Sequence, residues 1–121
     1  MHHYNNLTIE VFDDPTYKFS SADNNFNYAK HYFGSGAREY PTSKHGIKIY
    51  QDEEEVSSCI IIGSGGATNI LEQSSIIKND NIIICCCDTV FSFTLPDLEL
   101  KWQVQADEAT CLGFTNYRMT L

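Results

Sequence analysis

No apolar run in this chain approaches the ~20 residues a membrane-spanning helix needs. The longest are Cys59 to Gly63 and Ile82 to Cys87. Basic residues are also scarce: 8 Lys and Arg stand against 16 Asp and Glu, a net charge of −8. Contact with phosphates takes Lys and Arg, so this balance argues against nucleic acid and against an anionic membrane surface. The first residues, Met1-His2-His3-Tyr4-Asn5-Asn6, lack a basic region followed by an apolar stretch. No secretory signal is therefore expected, and the chain is cytoplasmic or has had its leader removed. Cysteine spacing is missing too. The 5 cysteines are Cys59, Cys85, Cys86, Cys87 and Cys111, an odd number without the rhythm of a disulfide framework. They read as free thiols in a reducing cytoplasm.

What is present suits one globular domain over residues 1–121. The 42% hydrophobic and 20% charged residues are ordinary for a packed protein, and a chain of this size buries about two-thirds of its unfolded surface. The pattern is mainly β. Leu7 to Phe12 reads as a strand that stops at Asp13-Asp14-Pro15. Residues 13–46 are rich in Asn, Ser, Asp and Gly yet carry seven aromatics, from Tyr17 to Tyr40. Such a segment packs on the body as an irregular loop, with room for a short helix over Phe26 to Phe33 before Gly34. The histidines at positions 2 and 3 read as a disordered end.

From residue 47 a β-meander body is expected. Ile47 to Tyr50 and Ser58 to Ile62 read as strands. Ser74 to Ile77 and Ile82 to Cys87 flank a hairpin turn at Lys78-Asn79-Asp80-Asn81. Val90 to Leu95 places Phe91, Phe93 and Leu95 on one face. After Pro96-Asp97, the alternation puts Leu98, Leu100, Trp102 and Val104 together. Residues 111–115 and 117–121 would add last strands. The architecture expected is an antiparallel meander folded as a sandwich, a barrel or a propeller-like blade. The chain stops at Arg118-Met119-Thr120-Leu121 without a polar tail. That ending suits a fragment of a longer fold, or a sheet completed by a second copy through open edges.

The segment Asp88-Thr89-Val90-Phe91-Ser92-Phe93-Thr94-Leu95-Pro96-Asp97-Leu98-Glu99-Leu100-Lys101-Trp102 resembles a blade repeat of quinoprotein-type (PQQ-like) β-propellers. Trp102 falls where that family places the tryptophan that packs between blades, and Ser74 to Cys87 would supply the preceding strands. The resemblance over residues 74–104 implies one blade-like meander and no quinone cofactor. It does not imply a complete propeller, which needs at least about four blades.

Several groups invite chemistry. Gly63, Gly65 and Gly66 follow an apolar strand, with Thr68 in the third small position and Asp88 ending the next strand. Read as a dinucleotide fingerprint, they would cradle a pyrophosphate at a helix starting at Ala67, and Asp88 would hold a ribose hydroxyl. Read structurally, they form a tight β-connection. Cys85-Cys86-Cys87 lacks the spacing of a zinc site, and in a strand Cys86 would turn away from the other two. Core packing is the simpler reading. His2, His3, His31 and His45 have no ligand partners at fixed spacing. Ser64 or Cys111 could pair with His31 or His45, but no nucleophile elbow frames them. Arg38, Lys44 and His45 form a modest basic cluster, too sparse for a phosphate groove.

The acidic run Asp52, Glu53, Glu54 and Glu55 follows Tyr50. It is either a solvated turn or a contact patch for a basic protein, anchored by Tyr50 and nearby aromatics. The expectation is a non-catalytic, protein-binding or scaffold module without cofactor or metal, for instance an immunity-type protein for a basic partner. The alternatives are a nucleotide binder or enzyme built on Gly63 to Thr68, and a self-associating propeller fragment.

Overall fold

The computed structural model describes residues 2–19, 21–34, 36–64, 75–87 and 89–105. Nine strands and no helix occur among them: β1 (His2–Tyr4), β2 (Leu7–Asp13), β3 (Lys30–Phe33), β4 (Ser43–Gln51), β5 (Glu54–Gly63), β6 (Ser75–Lys78), β7 (Asn81–Cys86), β8 (Thr89–Thr94) and β9 (Leu100–Gln105). They form a five-stranded sheet, in the order β1-β2-β4-β5-β3, and a four-stranded sheet, β6-β7-β8-β9. The mainly antiparallel, meander-like expectation holds. Neither sheet closes into a barrel.

Three short turns set the register. Tyr4 pairs with Leu7, Gln51 with Glu54, and Lys78 with Asn81, so each loop has two residues. In the second and third, both loop residues are left-handed: Asp52 and Glu53 at φ 53° and 67°, Asn79 and Asp80 at φ 51° and 62°. That is the turn whose twist matches the flanking strands.

Alternation along the strands then builds a sandwich core. Leu7, Ile9, Ile47, Ile49, Cys59 and Ile61 face inward from the larger sheet. Ile82, Ile84, Cys86, Phe91 and Phe93 answer from the smaller one. Removing one such Ile or Phe side chain from water contributes about 1.5–3 kcal/mol. Phe91 and Phe93 stack at 5.8 Å, and Tyr32 tilts against Phe93 at 4.8 Å.

Both outer faces carry their own apolar clusters. Ile83, Cys85 and Val90 are buried on the smaller sheet beside Ile76 and Trp102. On the larger sheet Ile60, Ile62 and Ala37 are buried under Tyr17, Tyr28 and Phe33. The aromatic N-terminal segment therefore packs on the body as expected.

Several expectations need correction. Residues 30–33 form β3, paired parallel to β5 with Lys30 opposite Cys59, so no helix spans Phe26 to Phe33. Main-chain pairing to a central strand outweighs what a four-residue segment could gain as a helix. His2 and His3 lie in β1, where His2 Nε2 meets Ser75 Oγ at 2.7 Å and ties the sheets together. The body begins at Ser43 rather than Ile47. Cys87 does not share a face with Cys85. Its left-handed backbone (φ 56°) ends the alternation and sends it into the inter-sheet core with Cys86.

Leu98 also leaves its expected row. It is left-handed (φ 55°) and fully buried, while Leu100 and Val104 stay exposed. Its amide donates to Thr94 O at 2.8 Å, and its carbonyl accepts from the Tyr32 hydroxyl at 2.8 Å. These bonds and the core hold a conformation that costs a leucine about 1–2 kcal/mol. The expected strands at 111–115 and 117–121 lie outside the described residues.

Candidate functional site

The acidic run sits where the sequence places it, at a tip. Asp52 and Glu53 make the β4–β5 turn, and Glu54 and Glu55 open β5. All four are exposed. Asp52, Glu53 and Glu54 have no ion-pair partner among the described residues, whereas Glu55 Oε1 accepts from Lys48 Nζ at 2.7 Å.

Lys48 is mostly buried, an unusual place for an ammonium. Its Nζ also donates to Asn27 O at 3.2 Å and lies over the rings of Tyr28 (5.4 Å) and Phe26 (6.0 Å). Aromatic faces and a carboxylate thus replace the water it has lost. Lys48 therefore neutralises Glu55 locally and leaves three carboxylates, Asp52, Glu53 and Glu54, as the charge at the hairpin tip.

Tyr50 connects this tip to a cleft of about 440 Å³ on the outer face of the larger sheet. Its walls are Glu10, Val11, Phe12, Phe26, Lys48 and Tyr50. Phe12 and Phe26 meet at 5.2 Å, so the floor and one wall are aromatic. Glu10 and Lys48 are directly opposite in the β2–β4 register. The cleft can take a flat or aliphatic group, while the hairpin offers negative charge beside it.

Gly46 makes this arrangement possible. A Cβ there would come within 2.5 Å of the Tyr28 hydroxyl and 2.8 Å of Phe12 Cζ. Without one, both rings lie flat on the sheet. Tyr28 then donates to Asp14 Oδ2 at 2.8 Å, deep enough that Asp14 is only 4% exposed. Burial, then the bond to Asp14, push the Tyr28 phenol well above its ordinary range, so it stays a neutral donor.

The glycine loop is placed differently from a phosphate cradle. Gly63 is the last residue of β5 and pairs with Ser43. A Cβ on it would lie 2.7 Å from Cys86 Sγ and 3.0 Å from Cys87 Sγ. Its small size lets the two sheets close on each other. Gly65, Gly66, Thr68 and Asp88 lie outside the described residues, as does any helix start at Ala67. A helix from Ala67 could not run on to Lys78, because residues 75–78 are strand β6.

The remaining candidates are scattered. His31 packs against Phe19, tilted at 4.4 Å, and edge-on to Phe33 at 5.8 Å. His45 points into the sandwich, its Nδ1 2.9 Å from Asp13 Oδ1. Burial lowers its pKa, and the charge of Asp13 pulls it partly back. Burial pushes the Cys59 thiol far up, which removes it as a nucleophile at neutral pH. No group of three metal-ligating side chains occurs among the described residues. Cys111 lies outside them. Arg38 and Lys44 do come together on the outer face, joined by Lys18, but His45 faces away from them. Sequence spacing gave no sign of Lys18 or of the Phe12–Phe26 wall, because loops far apart in the chain bring them in.

No helix among the described residues is long and apolar enough to cross a membrane. No family model, curated protein or solved structure matches the chain.

Proposed function

We propose that this chain is a non-catalytic binding protein that engages a basic protein partner through the β4–β5 hairpin and the adjoining aromatic cleft. One observation carries the reading: three exposed carboxylates with no ion-pair partner among the described residues, Asp52, Glu53 and Glu54, follow Tyr50, which lines the Phe12–Phe26 cleft. Charge at a tip steers an oppositely charged partner, and a neighbouring aromatic slot supplies the anchoring contact. An acidic protein that masks a basic toxin, in the manner of an immunity protein, is one form of this function. The blade-like meander β6–β9 would serve as scaffold, with the buried Cys59 thiol suited to a reducing cytoplasm.

The test uses a fluorescent peptide bearing arginine and tryptophan, titrated with the whole protein and followed by anisotropy. Saturable binding that weakens as salt rises is expected. The triple variant Asp52→Asn, Glu53→Gln, Glu54→Gln should weaken it roughly tenfold, as three partly exposed charge contacts would. Equal affinity in the variant would sink the reading.

A further inference from the structure

A second cleft lies on the same outer face, at the opposite end of β4, and has the opposite charge. Its volume is about 290 Å³, and Lys18, Arg38 and Lys44 surround it together with Phe19, Phe33 and Ile62. No acidic side chain lines it among the described residues. In a chain with 8 Lys and Arg against 16 acids, three cations at one small cleft is a local reversal of the overall field.

The cations are held without being neutralised. The Arg38 guanidinium lies 4.1 Å from the Phe33 ring centre and 6.0 Å from that of Phe19, and it has no carboxylate partner among the described residues. A guanidinium held over a ring face keeps N–H groups for a bidentate acceptor. Lys44 Nζ donates to Tyr17 O at 2.5 Å, which anchors it and leaves two more N–H groups. The Lys18 ammonium has no partner among the described residues.

The backbone beneath is clamped. Lys18 and Asn24 exchange two hydrogen bonds of 2.8 Å, closing the 18–24 loop. The 34–42 turn is tied to the end of β5 at both ends, by Gly34 N to Ile62 O (2.8 Å) and Thr42 N to Gly63 O (2.7 Å). Buried Ala37 seats this turn on Ile60 and Ile62, and so fixes where residue 38 points.

We infer that the Lys18–Arg38–Lys44 cleft is a binding site for a small phosphomonoester whose ester group is a compact ring. Two to three cations match a phosphate dianion, a guanidinium edge matches two of its oxygens, and the Phe19 and Phe33 rings offer walls for the ring. The volume falls at the low end for ligand sites, which excludes a dinucleotide. This site is separate from the hairpin and does not depend on the function proposed for it.

Phenyl phosphate is the probe, titrated into the full chain by calorimetry, with inorganic phosphate and benzoate titrated alongside. Binding at one site per chain is expected, at least tenfold tighter than for either control. Arg38→Met should weaken it at least tenfold. Lys18→Gln, at an exposed loop position that bears on no core contact, should weaken it severalfold and covers the case in which the Arg38 variant misfolds. The hairpin triple variant should bind phenyl phosphate unchanged. No saturable binding, equal binding of inorganic phosphate or benzoate, or unchanged affinity in both cleft variants would overturn the inference.

Discussion

The two faces of the five-stranded sheet are built by different means. The inner face is aliphatic, and a second sheet covers it: Ile9, Ile47, Ile49 and Ile61 meet Ile82, Ile84, Phe91 and Phe93 with no exposed surface. Among the described residues the outer face is covered by the segment between β2 and β4, through the rings of Tyr17, Tyr28 and Phe33, together with the stem of Lys48. Sheet on sheet closes completely. Loops on a sheet leave gaps, and both clefts lie in those gaps. In this molecule the inner face holds the fold together, and the outer face offers binding surface.

That division can be tested from either side. The largest effect is expected on the inner face. Phe91→Ala should cost about 3–5 kcal/mol in a urea titration, because the hole lies between two sheets that cannot collapse into it. A loss under 1 kcal/mol would mean the sheets are not rigidly packed. On the outer face, Gly46→Ala should cost less, about 1–3 kcal/mol. It should also displace Tyr28 and Phe12, visible as changed tyrosine fluorescence and weaker peptide binding at the hairpin. If Gly46→Ala proved as damaging as Phe91→Ala, the two faces would not be separable.

The smallest effect concerns acid. His45 lies on the inner face with its pKa held below the ordinary 6.5, first by burial and against the pull of Asp13. A lowered histidine pKa means the unfolded chain binds the proton more readily. Stability from this group is then complete above about pH 6.5 and declines as the pH falls through the folded value, at up to about 1.4 kcal/mol per pH unit. His2, also lowered by burial, acts in the same direction. Urea midpoints measured between pH 7.5 and 5.5 should fall toward acid. A rise would show that the Asp13 pairing outweighs burial.

The inner face was legible in the sequence, and the outer one mostly was not. Ile82 to Cys87 and Val90 to Leu95 are apolar or alternating runs bounded by turn residues, and they became β7 and β8 with the expected alternation up to Cys86 and Thr94. Asp52 to Glu55 stood out as a turn because four consecutive acids can only lie in water. By contrast β1 and β3 are short and polar, and they pair only because a longer strand lies beside them. That the sheets do not close into a barrel depends on which strands meet at their edges, which no local pattern encodes. Gly63 admitted both a phosphate turn and a β-connection because close backbone approach and close sheet packing both require a missing side chain. Lys18, Arg38 and Lys44 are drawn together by Asn24, Gly34 and Thr42, whose hydrogen bonds leave no periodic trace.

The parallel pairing of β3 with β5 has a consequence in time. Lys30 must find Cys59 across the whole of β4 and its turn, whereas the β4–β5 hairpin closes over two residues. Contacts distant in sequence form late, since the entropy of loop closure must be met before pairing offsets it. The loops on either side of β3 build both clefts, so these are complete only after the β4–β5 hairpin has closed, and they open when β3 detaches from β5. A bound partner or small anion would then act on this local opening, slowing amide exchange around residues 30–33 while leaving the exchange of β7 and β8 unaltered.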